Sequence, residues 1–212
     1  MDTNALNSCL MLAVNLDTPV SLGCLFDTSD LKDTGIELDS HITLLYAQGK
    51  EIDHTGLLGD IKDILGDSDY SWLRGMIKND ELYSVPDMFE LGQFNNDSDY
   101  LILKLRKETE LFRILGLLNK SLSIKYGVRS DFTDYVPHLS LAELEPGKAG
   151  KYLESETVRQ VIQESAFNIE DLFISYGFSN EPDDRKQRFL TSEKCISRYF
   201  RLQNLRKELE NL

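Results

Sequence analysis

The chain alternates short apolar runs with polar breaks, and the spacing inside each run predicts its element. Residues 9–16 (CLMLAVNL) form a run closed by Asp17, Thr18 and Pro19, with the length of a buried strand. Residues 21–26 fit either helix or strand, and the polar stretch 27–40 reads as a loop beside a site. A short strand follows at 42–46 (ITLLY). A helix is predicted over 55–65, where Leu57, Leu58, Ile61, Ile64 and Leu65 share one side and Thr55 is a candidate N-cap. Runs 88–94 and 100–105, split by NNDSD, predict a hairpin, and in LILKL the residues Leu101, Leu103 and Leu105 oppose Ile102 and Lys104 at period two.

Leu111, Ile114, Leu115, Leu118 and Leu122 repeat at three and four over 110–126, the clearest helix in the chain, with Gly127 placed to end it. The pattern then predicts a strand from about Val136, a helix over 151–164, a strand over 169–176, a short strand at 188–191 and a last helix from Glu193. That mixed order predicts an α+β protein with helix-covered sheets.

With 212 residues, 41% apolar and 28% charged, the chain can bury a substantial core in one or two lobes. Disorder as the main state, a collagen-like rod and a disulfide-stapled mini-protein are excluded. Cys9, Cys24 and Cys195 are an odd count at no metal-like spacing and read as free thiols of a reducing compartment. No apolar run nears the ~20 residues that cross a bilayer, and no export-type segment is read, so the expectation is a soluble cytoplasmic protein without a membrane partner.

The net charge of -13 and pI near 4.7 repel long polyanions, so duplex nucleic acid is not an expected partner. A small anionic substrate fits if its pocket is locally basic. The acidity is uneven: residues 185–212 hold eight Lys or Arg against three Glu, a local +5 that leaves -18 on residues 1–184. The expected division is a main domain, 1–184, and a basic C-terminal extension, 185–212, which packs on it, offers a surface to a protein partner or forms part of a phosphate-facing rim.

Two of the three histidines sit in nearly the same setting. SHITLLY at 40–46 and PHLSLAE at 137–143 both read His-apolar-hydroxyl-apolar on a strand, 97 residues apart, and predict two similar lobes that each present one histidine. Alternation puts His41 with Thr43, and His138 with Ser140, on polar sides able to line a cleft between the lobes. Two imidazoles there suit phosphodiester chemistry: one neutral ring takes a proton from an attacking hydroxyl or water, and the other gives one to the departing oxygen. Thr43 and Ser140 can donate hydrogen bonds to the phosphoryl oxygens. A single His-x-Thr in a strand is commonly structural, so the matched pair carries the reading. His54, in EIDHTG, reads as a surface or capping residue at a helix start. Metal-ligand frames, glycine-rich phosphate loops and Cys-His or GxSxG signatures are not found in the sequence, so neither metal nor cofactor is expected.

The pair His41-Ile42-Thr43-Leu44 and His138-Leu139-Ser140-Leu141 resembles the two motifs of the 2H phosphoesterase superfamily. LILKLR, ETELFRILGLLNKSL, GVRSDFTDYVPHLSLAEL and IEDLFISYG follow in an order that extends the resemblance over residues 8–180. It implies a bilobal α+β fold, two antiparallel sheets with outer helices around a central cleft. It also implies metal-independent catalysis on phosphodiesters, often 2',3'-cyclic phosphates or 2'-5' linkages, with His41, Thr43, His138 and Ser140 as catalytic and phosphate-holding residues. The compact acidic chain further resembles bacteriophage anti-CBASS nucleases, which degrade cyclic oligonucleotide messengers of bacterial immunity. A cyclic di- or oligonucleotide is therefore the expected substrate. An RNA 2',3'-cyclic phosphodiesterase or related RNA-processing enzyme is the enzymatic alternative, and a noncatalytic cyclic-nucleotide-binding protein is the alternative of another class.

Base contacts are expected from Tyr46 and Trp72, although core packing is the competing account of Tyr46. Lys104, Lys125 and Arg129 could offset the global acidity beside a phosphate, against the default of a solvated charge. Glu143 and Glu181 could read a guanine edge or orient a histidine, and Asp134 and Tyr135 adjoin the second motif.

Overall fold

The computed structural model describes residues 6–17, 19–79, 81–95, 97–128, 134–178 and 181–190. One antiparallel sheet is built from β1 (Leu6–Leu16), β3 (His41–Ala47), β4 (Tyr83–Ser84), β8 (Ala166–Phe178) and β9 (Glu181–Phe189). Its order is β3-β1-β8-β4, with β9 also paired to β8. The other is built from β2 (Leu31–Ile36), β5 (Phe89–Asn95), β6 (Asp99–Leu105) and β7 (His138–Leu144), in the order β2-β7-β6-β5. Six helices complete the described chain: α1 (Pro19–Gly23), α2 (His54–Lys78), α3 (Val85–Met88), α4 (Glu110–Tyr126), α5 (Ala149–Glu154) and α6 (Glu156–Glu164). The α+β class with two antiparallel sheets and packed helices is as expected.

Period two sorts the faces. Leu10, Leu12 and Val14 of β1 join Ile42 and Leu44 of β3, Leu57 and Ile61 of α2 and the apolar side of α4 in one continuous core. Met11 and Ala13 point to the opposite face, where they pack with Phe173 of β8 as a separate buried patch. The helices α2 and α4 therefore cover one face of the first sheet and leave the other to the site. In the second sheet, Leu101, Leu103, Leu139 and Leu141 reach the same core.

The helix over 110–126 forms as its spacing predicts: the Thr109 side chain caps it by accepting from the Phe112 amide, and Gly127 ends it in the left-handed conformation at φ 58°. Elsewhere the pattern needed correction. The polar stretch 27–40 contains a 3-10 turn and then β2, whose register to β7 slips between Leu31 and Ile36. Residues 21–26 lie mostly in and after α1. The helix predicted to stop at Leu65 breaks there, at Gly66 with φ 68°, and then resumes to Lys78 with Leu73, Met76 and Ile77 buried. Its cap is Asp53, which accepts from the Thr55 amide, rather than Thr55. The helix over 151–164 is two helices divided at Ser155, which caps the second. The strand β9 spans the 184/185 junction and is longer than the short strand at 188–191. Residues 191–212, with Cys195 and the expected last helix, lie outside the described residues.

Candidate active site

Both histidine strands depart from regular pairing at the same place. On β3, His41 opposes Ala13, Thr43 opposes Met11, and Leu44 is skipped before Leu45 meets Leu10. On β7, His138 opposes Lys104, Ser140 opposes Ile102, and Leu141 is skipped before Ala142 meets Leu101. Each extra residue is a β-bulge three positions after the histidine, and it reverses the alternation beyond it. Tyr46, opposite Cys9, is thereby returned to the face of His41 and Thr43. Glu143, opposite Tyr100, is returned to the face of His138 and Ser140. The burial follows: the two histidines, the two hydroxyl residues and Glu143 are half-buried, the leucines between them are buried, and Tyr46 is 52% exposed. Core packing is thus excluded for Tyr46.

The rings are tethered alike. His41 Nδ1 lies 2.6 Å from the carbonyl oxygen of Asp39, and His138 Nδ1 lies 2.8 Å from that of Val136, in each case two residues back. A carbonyl oxygen only accepts, so Nδ1 carries the hydrogen and donates it, and Nε2 is the nitrogen left to exchange protons.

The lobes are also tied to one another. Strand β3 is an end strand and lies against β7. The Tyr135 hydroxyl, just before β7, donates to the Thr43 carbonyl at 2.9 Å, and Asn119 Nδ2 of α4 donates to the Leu44 carbonyl at 2.7 Å. The carbonyls around the first bulge are thus satisfied by the second half of the chain, which fixes Thr43 against the other motif. Burial pushes the His138 imidazole below the usual histidine range; the bond to Val136 opposes this, and positive charge on His41 and Lys104 adds to it.

Lys104, the cross-strand neighbour of His138, makes no ion pair among the described residues, and its ammonium sits 5.5 Å from the centre of the Phe94 ring. Phe94 meets the His138 ring edge to face, with centroids 4.8 Å apart at 86°. Sequence reading did not single out Phe94; its signal is the hairpin register that sets it opposite Tyr100, on the histidine face. Trp72 is 38% exposed on the second part of α2, in the layer that covers the opposite face of the first sheet. Lys125 is paired to Asp60 at 2.5 Å, tying α4 to α2 away from a phosphate role. His54 begins α2 and packs edge-on with Tyr176. Glu143 accepts from the Ser98 hydroxyl at 2.7 Å, and Asp134 is exposed. Arg129 and the Glu181 side chain lie outside the described residues. A cavity of about 190 Å³ beside β5, lined in part by Glu90, Arg106 and Arg159, does not include either histidine.

Among the described residues, no three His, Cys, Asp or Glu side chains are grouped to hold a metal ion, and no helix is long and apolar enough to cross a membrane.

No family model and no curated protein matches the chain. Among solved structures it is similar to one described as a phosphoesterase, at 16% identity and TM-score 0.40 over 87% of this chain and 99% of that one. It is also similar to E. coli LigT in apo form, at 17% identity and TM-score 0.41 over 88% and 99%. Usb1 of Kluyveromyces marxianus is similar at 13% identity and TM-score 0.41 over 91% and 100%. The two-histidine reading rests on the geometry above rather than on these likenesses.

Proposed function

We propose that the protein is a phosphodiesterase of the 2H type that opens cyclic di- or oligonucleotides without a metal cofactor. The observation that carries the reading is the repeated motif itself: two strands with the same His-x-Thr/Ser order, the same bulge and the same Nδ1 tether. His138, held below the usual histidine range by burial, enters neutral. Its Nε2 takes the proton from the attacking water or hydroxyl as the new P–O bond forms. His41, entering protonated, gives its Nε2 proton to the departing oxygen as the old P–O bond breaks. Thr43 and Ser140 donate to the non-bridging oxygens, where negative charge is redistributed in the transition state.

The net charge of -13 favours a small substrate over a long polyanion, and the exposed Tyr46 ring on the histidine face suits stacking on a base. Cyclic messengers of bacterial immunity meet both conditions, and their destruction would serve immune evasion.

The test is chromatographic product analysis after incubation in EDTA with cyclic di- and trinucleotides and with an RNA ending in a 2',3'-cyclic phosphate, alongside the double variant His41→Ala/His138→Ala. Linear products from the cyclic nucleotides, made by wild type alone, support the reading. Reaction with the RNA end alone moves the substrate to RNA, and binding without turnover makes the protein a sequestering one.

A further inference from the structure

Within their strands the two histidines are alike in bulge, tether and neighbouring hydroxyl, yet an acid and a base must differ in their resting protonation. The difference has to come from outside the motif. Across the adjacent strand, His41 opposes Ala13, while His138 opposes Lys104. We propose that Lys104 is a positioning residue that, together with the burial of the ring, makes the pair unequal: its ammonium, set beside His138, disfavours a proton there before turnover and leaves His41 to carry the acid proton. This inference rests on the phosphodiesterase reading above and deepens it.

Three features hold Lys104 in place. Directly opposed residues of an antiparallel pair share a face, so the Lys104 side chain leaves β6 on the same side as His138. On the far side it runs over Gly92, where a Cβ would stand 2.8 Å from its Cε and 3.1 Å from its Cδ. Only a residue without a side chain leaves that path open. The ammonium then ends near the Phe94 ring, which itself abuts His138. Lys104 is half-buried and has no ion-pair partner among the described residues, in a chain of net charge -13.

The other charge acting on His138 is His41 from β3; by register, Glu90 of β5, opposite Lys104, and Glu143 on its own strand lie on the same face of the sheet. Glu143 is engaged by the Ser98 hydroxyl, to which Lys32 also donates at 2.7 Å. On the His41 side, the residue beyond Ala13 is Asp171 of β8, whose carboxylate accepts from the Leu172 amide.

The experiment is NMR titration of both imidazoles in the free protein, in wild type and in Lys104→Met, Lys104→Arg and Gly92→Ala. Gly92→Ala removes no titrating group and displaces the Lys104 side chain. In wild type, His138 should titrate below His41. Lys104→Met and Gly92→Ala should each shift the His138 titration upward with little change at His41, and Lys104→Arg should keep it low. An unchanged His138 titration in both Lys104→Met and Gly92→Ala overturns the proposal, as does a wild-type His41 that titrates below His138. The titration needs no substrate, so a protein that cleaves no phosphodiester still decides the role of Lys104.

Discussion

Leu44 on β3 and Leu141 on β7 are the same irregularity in two different sheets, each the residue skipped by the neighbouring strand three positions after a histidine. Their shared effect is to bring a third side chain to the histidine face: Tyr46 in one lobe and Glu143 in the other. Strict alternation would have turned both away.

Tyr46 is accordingly the residue whose removal should weaken binding without touching proton transfer. A base stacked on an aromatic ring is worth about 1–3 kcal/mol, so Tyr46→Ala should raise KM for a cyclic dinucleotide about tenfold and leave kcat close to wild type. A fall in kcat at unchanged KM would place Tyr46 elsewhere in the mechanism.

The paired motif was legible because each histidine begins a short strand whose first four residues alternate plainly. The bulges were not legible, since a skipped Leu looks like any other apolar position until its partner strand is known. Lys104 could be named from LILKL, but its place beside His138 depends on which strands pair, and Gly92 and Phe94 acquire meaning only through that pairing. The strand β2 was hidden because LKDTGI lacks alternation and pairs at its ends only. The second part of α2 was hidden because Gly66 ends the apolar pattern at Leu65.

Tyr135 joins the lobes through one hydroxyl. Tyr135→Phe should cost about 1 kcal/mol, read as a lower urea midpoint, because the Thr43 carbonyl loses its 2.9 Å donor. Turnover should fall more than that small loss of stability explains, since Thr43 is then less firmly held. A variant equal to wild type in both measurements would contradict the tie.

The pH dependence of kcat/KM should be bell-shaped. Its acid limb reports protonation of the base, and His138 is held below the usual histidine range first by burial. Activity should therefore persist to lower pH than an ordinary histidine base allows, and fail on the alkaline side when the general acid loses its proton. The same shift carries a stability effect of defined sign: the unfolded chain binds a proton at His138 more readily, so stability falls as pH drops through the ordinary histidine range. An acid limb at or above that range would assign the base to another group.

Far from the site, the buried Asp30 carboxylate accepts from Lys148 at 2.9 Å, Lys151 at 3.0 Å and Tyr152 at 2.8 Å, joining the turn before β2 to α5. Those bonds, led by Lys148, hold its carboxyl well below the usual range. A depressed carboxyl stabilises the fold above the unfolded value of about 3.9 and loses that contribution as pH falls below it. Asp30→Asn should lower the thermal midpoint at neutral pH, with a gap to wild type that narrows in acid. A gap independent of pH would show that the carboxylate charge is not what matters there.

The division of labour between His41 and His138 is tested most directly by changing the leaving group. Single-turnover rates should be measured for His41→Ala and His138→Ala on a ribonucleotide phosphodiester with an alkoxide leaving group, and on its p-nitrophenyl counterpart, whose leaving group needs no proton. Loss of an acid or base contribution costs about 10²–10⁴-fold. Both variants should lose that much on the alkoxide ester; on the aryl ester His41→Ala should recover most of the wild-type rate while His138→Ala does not. Recovery by His138→Ala instead, or wild-type rates from either variant on the alkoxide ester, would contradict the account.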